Sequence, residues 1–283
     1  MFKTKRNLLL SVSISTMLPL ASGIALLSAS CDNSTKQIKK TKNEISSLIK
    51  NNVKRVVAND KTLDKSTRDK LLGKEFNDVI DELASLGIDF FINIFESLGL
   101  TKSDFINYYN NVIKNNSLWK EIEKGQKSFE ELSKLFSQIG NKILSEQQDK
   151  LNSYFIKAWK KNHYLSQVIK ENNLSDNDLN EIIKLLSNNF DKVNNNGAIS
   201  NLFIGGYDSN KNIYNKPKAE KQEEMRKIIE ANLNSVNTNK KYANFNKQLS
   251  KYIIETIVNN AHRFPPLIKK FKELNLKIIN IFS

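Results

Sequence analysis

Nine glycines and four prolines are all that interrupt 283 residues. A turn-rich β fold draws on such residues at each hairpin, because they supply the positive or fixed φ that tight turns require. A chain with so few breakers is suited to long helices. The apolar residues agree. Ile45, Leu48, Ile49, Val53, Val56 and Val57 recur at spacings of three and four, which places them on one helical face. The sequence predicts an all-α fold, a multi-helix, bundle-like globular domain.

Similar stripes follow down the chain. Phe76 to Leu98 keeps helical spacing in two halves, with a break expected at Gly87 and a stop at Gly99. Phe105, Tyr108, Tyr109, Val112 and Ile113 make the next stripe, and Leu118, Trp119 and Ile122 a short one. Phe129 to Trp159 is the longest, with a kink expected at Gly140. Hydroxyl residues stand three before an acid at Ser66–Asp69, Thr101–Asp104, Ser128–Glu131 and Ser175–Asp178. That spacing suits reciprocal capping of a helix start. Pro265-Pro266 fits the first turn of a last helix carrying Leu267, Ile268, Phe271, Leu274, Ile278 and Ile279.

The run 194–217 differs. Asn194-Asn195-Asn196-Gly197, Gly205-Gly206 and Pro217 fall in it, and no helical period is evident. A short hairpin or an ordered irregular loop is expected. Such loops often carry function, so Phe203, Tyr207 and Tyr214 are candidate contact residues. The competing reading is a plain connector whose aromatics tuck onto the core.

The N-terminus carries Lys3, Lys5 and Arg6, then an uncharged, mostly apolar run from Leu8 to Leu27. It ends Leu27-Ser28-Ala29-Ser30-Cys31, and Cys31 is the single cysteine of the chain. A basic head, an apolar middle and a small-residue end form the pattern of a secretory signal. The run before Cys31 resembles a lipobox, the processing motif of bacterial lipoproteins, although Ser28 stands where an aliphatic residue is usual. The resemblance implies cleavage after Ser30 and diacylglyceryl transfer to the Cys31 sulfur. It further implies a signal peptide over 1–30, a lipidated cysteine with a polar tether over 31–42, and an extracytoplasmic helical domain over 43–283. The alternative is an uncleaved membrane helix, since roughly 20 apolar residues can span a bilayer. Both readings leave the rest of the chain outside the membrane.

The formal net charge is +14, and removing Lys3, Lys5 and Arg6 leaves +11 for the part after Cys31. With the signal, this Lys- and Asn-rich composition resembles that of mollicute surface lipoproteins, whose AT-rich codon bias is the plain alternative to a functional basic surface. A basic surface can attract an anionic polymer or lipid. No recognisable nucleic-acid-binding motif accompanies the charge.

Chemistry is sparse. His163 and His262 are the two histidines, and neither has metal-ligand partners at the usual spacing. No Gly-x-Ser-x-Gly elbow occurs, and Gly205-Gly206 lacks the spacing of a phosphate loop. Asp78, Asp81 and Glu82 share a helical neighbourhood suited to a cation or, more commonly, to a solvated face. No catalytic residue, cofactor or metal site is predicted. Cys31, as the lipidation site that the lipobox resemblance implies, is the site candidate. The expected role is interaction with host or neighbouring surface molecules. The alternatives are a structural subunit of a membrane complex, or an uptake-associated hydrolase or nuclease.

Overall fold

A computed structural model describes residues 33–126 and 128–283. Its elements are helices, apart from one two-stranded ribbon, so the all-α expectation holds. Helix α1 (Asn33–Asn59) is followed by α2 (Lys65–Leu72), α3 (Lys74–Glu96) and α4 (Lys102–Tyr108). A π-helical turn (Tyr109–Ile113) leads to α5 (Ser117–Lys124) and the long α6 (Phe129–Lys161). Then come α7 (His163–Glu171), α8 (Asp176–Asn188), α9 (Phe190–Val193) and α10 (Ala198–Ile204). Strands β1 (Tyr207–Asp208) and β2 (Ile213–Tyr214) pair antiparallel, Tyr207 opposite Tyr214. Helices α11 (Ala219–Val236), α12 (Ala243–Asn260) and α13 (Pro265–Phe282) complete the chain.

Local chemistry accounts for most boundaries. At α4 the Asp104 N–H donates to Thr101 Oγ1 at 3.1 Å, and the Thr101 N–H donates to Asp104 Oδ2 at 2.8 Å. Ser175 and Asp178 repeat this box at α8. Ser128 caps α6 by accepting from the Glu131 N–H. At α2 the cap is Asp64, not Ser66, because its carboxylate accepts from both the N–H and the hydroxyl of Thr67. Gly99 takes φ 75°, the left-handed turn that ends the segment after α3.

Three further expectations are corrected. Helix α3 runs through Gly87 unbroken, with Leu86, Gly87, Ile88 and Phe91 all buried. Burying each large apolar side chain contributes roughly 1.5–3 kcal/mol, which outweighs the ~1 kcal/mol that a helical glycine costs. The irregularity in α6 lies at Gln147 (φ −133°), not Gly140. There the Glu146 carboxylate leaves the helix axis to cap α5, accepting from the Ser117 N–H at 3.0 Å, the Ser117 hydroxyl at 2.6 Å and Asn116 Nδ2 at 3.0 Å. The polar tether expected over 31–42 is helical from Asn33 onward. Ile38 and Thr41 are buried, and Lys42 pairs with Asp89 at 2.6 Å, so tertiary contacts hold what composition alone would leave loose.

The interior has two main parts. One gathers α1, α3, α4, the π turn, α5 and one face of α6 from Leu132 to Ala158, and Phe264 joins it from the far end of the chain. Smaller apolar clusters dock α2 and α13 onto α3. The second part holds Trp159 and the apolar faces of α7 through α12. The two meet along α6, where Phe155 packs against both. Helices α1 and α3 run antiparallel, with Lys42 facing Asp89 and Lys50 facing Asp81. Helix α13 returns antiparallel to α3, with Phe271 near Phe90 and Phe282 near Phe76.

Candidate functional site

The π turn exists because Lys114 N–H bonds back five residues to the Tyr109 carbonyl at 2.9 Å. The inserted residue widens the turn, a feature frequently found at functional sites. Tyr109 heads this turn and meets Trp119 of α5 edge to face, ring centroids 5.8 Å apart. These two rings and α1 border an open groove of about 630 Å³, within the range of small-ligand sites.

Helix α1 supplies one wall. Lys36, Lys40, Asn43, Ser47 and Asn51 fall at spacings of three and four on the groove side. Lys114, Glu44 and Glu123 complete the polar lining. Lys114 reaches Glu44 at 3.2 Å, and Trp119 Nε1 donates to Glu123 Oε1 at 3.0 Å. Burial first, then the charges of Glu44 and Glu123, push the Tyr109 phenol above its ordinary value. Lys36 and Lys39 make no ion pair among the described residues and are exposed. The groove thus holds hydrogen-bonding amides and acids along its length and uncompensated positive charge at the start of α1. Sequence inspection missed it because Lys36 and Glu123 come together only in the fold.

The 194–217 run is more ordered than expected. A 3-10 turn (Asn195–Gly197) and helix α10 occupy its first half. Asn194 Oδ1 accepts from the N–H groups of Ile199 and Ser200, and Ala198 and Leu202 are buried, which together hold α10 in place. Tyr207 donates its hydroxyl to Asn212 Oδ1 at 2.7 Å, and Tyr214 donates to the Leu202 carbonyl at 3.1 Å. A Cβ at Gly206 would lie 2.3 Å from the Tyr214 ring, so this close approach requires glycine. Both tyrosines are half-buried and fasten the ribbon, while Ile204 (65% exposed) and Ile213 (44% exposed) face solvent. The Phe203 side chain and Cys31 lie outside the described residues.

The remaining sequence candidates do not line the groove. Asp81 accepts from Ser46 and from Lys50 of α1, the latter at 2.7 Å, and Glu82 meets Lys277 of α13 at 2.8 Å. His163 opens α7 and His262 sits in the 3-10 turn before α13, both exposed. Among the described residues no group of three or more His, Cys, Asp or Glu is placed to hold a metal ion. No described helix is long and apolar enough to cross a membrane, and the Leu8–Leu27 run lies outside the described residues.

Comparison with known proteins adds no relative. No family model matches the chain, and neither a curated protein nor a solved structure matches it.

Proposed function

We propose that this chain is a surface lipoprotein of the mollicute type, anchored by lipid on Cys31 at the outer face of the cell membrane. Its helical domain acts by binding a host molecule or a neighbouring surface molecule. The observation that carries the binding role is the groove between α1 and the π turn, open to solvent and lined by Asn43, Ser47, Asn51 and Glu123. Polar side chains over a ring-bordered floor, with Lys36, Lys39 and Lys40 at one end, suit recognition of a polar or anionic surface.

Two experiments test this reading. Incorporation of labelled palmitate into the full chain is expected, and Cys31→Ser is expected to abolish it and release the protein from membranes. Retained membrane association without label would sink the anchor. The immobilised mature chain is expected to retain a partner from host fluids that Ser47→Trp, which fills the groove, no longer retains.

Exposed Ile204 and Ile213 favour a second reading, a subunit of a membrane complex that buries them against a partner. A partner from the organism's own membrane, lost with Ile204→Ser plus Ile213→Ser and kept with Ser47→Trp, would select it.

A further inference from the structure

Helix α1 begins at Asn33, and Asp32 alone separates it from Cys31. Two trans peptide units bring Asn33 Cα within about 7.6 Å of Cys31 Cα whatever their conformation. Lys36 lies a further ~4.5 Å along the helix, and Lys40 ~10.5 Å. A lipid on Cys31 therefore limits the distance from the anchor to about 12 Å for the Lys36 Cα and about 18 Å for the Lys40 Cα, and keeps the lysine end of the groove on the membrane side of the domain. The buried Ile38 and Thr41 and the Lys42–Asp89 ion pair join this first segment to the domain, so no slack chain can carry it away.

The charge pattern fits that position. Lys36, Lys39 and Lys40 are exposed at the anchored end, and Glu44, the nearest acid on the groove wall, is shared between Lys114 at 3.2 Å and Lys40 at 3.9 Å, which leaves Lys36 and Lys39 without an ion pair among the described residues. Clustered lysines beside a membrane anchor attract anionic headgroups, and the attraction fades within about a Debye length. We propose that the lysine end of the α1 groove docks on the anionic phospholipid headgroups of the membrane carrying the anchor, fixing the orientation of the domain. The middle and far end of the groove, from Asn43 to Asn51, then project away from the bilayer. This inference rests on the proposed anchor for its location, but its test does not require lipidation.

The test uses residues 31–283, which contain all the apolar clusters, without lipid. Binding is measured to vesicles of phosphatidylcholine alone and of phosphatidylcholine with phosphatidylglycerol. Wild type is expected to bind the anionic vesicles in a salt-sensitive manner and the neutral ones weakly. Lys36→Gln, Lys39→Gln and Lys40→Gln together are expected to weaken that binding on the order of 100-fold. The control is Lys54→Gln, Lys61→Gln and Lys65→Gln, three exposed lysines at and beyond the far end of α1, expected to stay within a few-fold of wild type. Equal loss in both triple variants, or equal binding to neutral vesicles, would overturn the proposal. So would a soluble sulfated polysaccharide that binds through the same three lysines more tightly than the anionic vesicles do. Failure of palmitate labelling with these vesicle results intact would instead remove the anchor and leave the lipid site standing.

Discussion

Around Phe95 the interior is built of rings: Phe105, Tyr108 and Tyr154 lie with centroids 5.6, 5.1 and 5.9 Å from it. Around Ile229 the interior is mostly aliphatic, and the one ring pair found there among the described residues is Trp159 with Phe245 at 5.2 Å. The halves differ in chain path as well. The aromatic half collects residues from Ile38 to Phe264, whereas the aliphatic half is drawn from the single stretch between Phe155 and Val258. Edge-to-face ring contacts add directional preference to area burial. They fall in the half that must assemble segments far apart in sequence. The aliphatic half relies on neighbours along the chain, a lower-contact-order arrangement that favours rapid folding.

The largest effects test whether these halves behave as separate cooperative units. Phe95→Ala and Trp159→Ala each remove a buried ring, and each is expected to cost about 3–5 kcal/mol in urea unfolding. Hydrogen exchange distinguishes them. Phe95→Ala is expected to lower protection in α1, α3, α4 and α13 while α8, α11 and α12 remain protected. Trp159→Ala is expected to do the reverse. Uniform loss in both variants would mean that α6 welds the halves into one unit.

Next is the bond between the halves. Asp104, 6% exposed, pairs with Lys157 of α6, which is 50% exposed. Burial opposes ionisation of Asp104, but Lys157 and the Thr101 N–H and hydroxyl prevail and hold its carboxyl below the ordinary value. Asp104→Ala removes a cap and a charge-assisted hydrogen bond, an expected loss of about 2–3 kcal/mol. Because the folded pKa is depressed, this stabilisation is present above the unfolded carboxylate range and is lost as pH falls through the folded value. Glu146 behaves likewise. The Ser117 hydroxyl and N–H bring it down to about 2. Its contribution should fade between about pH 4.5 and 2, and Glu146→Gln should flatten that part of an acid titration followed by circular dichroism. An unchanged acid titration in Glu146→Gln would show that this carboxylate contributes no pH-dependent stability.

A smaller effect compares helix starts. Thr101 in the aromatic half and Ser175 in the aliphatic half make the same reciprocal cap. Ser175→Ala should cost about 1 kcal/mol. The matching Thr101→Ala should cost more, because it leaves buried Asp104 with one partner fewer. Equal costs would show that the Asp104–Lys157 contact between the halves does not depend on the cap.

These caps were legible in the sequence because they are local: a hydroxyl and an acid three apart need no knowledge of the fold. The stripes on α1, α3, α6 and α13 were legible for the same reason. What escaped was set by distant partners. The kink at Gln147 depends on Ser117, the unbroken path through Gly87 on the apolar layers around it, and the helical start at Asn33 on Asp89. In 194–217, composition marked a loop correctly enough to place the ribbon, but Asn194 and the buried Ala198 and Leu202 hold a helix that seven residues alone would not sustain. The candidate tyrosines were found by residue type, yet the fold ties their hydroxyls and exposes isoleucines that flank them. The groove was invisible because no local motif links Lys36, Tyr109 and Glu123.

The smallest effect addresses how the end of the chain comes home. Lys277 and Glu82 are 195 positions apart and meet at 2.8 Å, with side chains 52% and 51% exposed. The contact looks like a clasp holding α13 on α3. Its exposure argues otherwise: water screens the pair, and such bridges typically contribute 0.2–1 kcal/mol. Leu274 and Ile278 are buried beside Val79 and Leu86, and the Phe282 ring meets Phe76 edge to face at 5.6 Å. That apolar seam has area enough to place α13 without an ion pair. A double-mutant cycle with Lys277→Met and Glu82→Gln should therefore give a coupling below about 1 kcal/mol that vanishes in high salt. A larger, salt-resistant coupling would mean that closure of the aromatic half depends on charge, and the contrast between ring-built and aliphatic halves would have to be redrawn around α13.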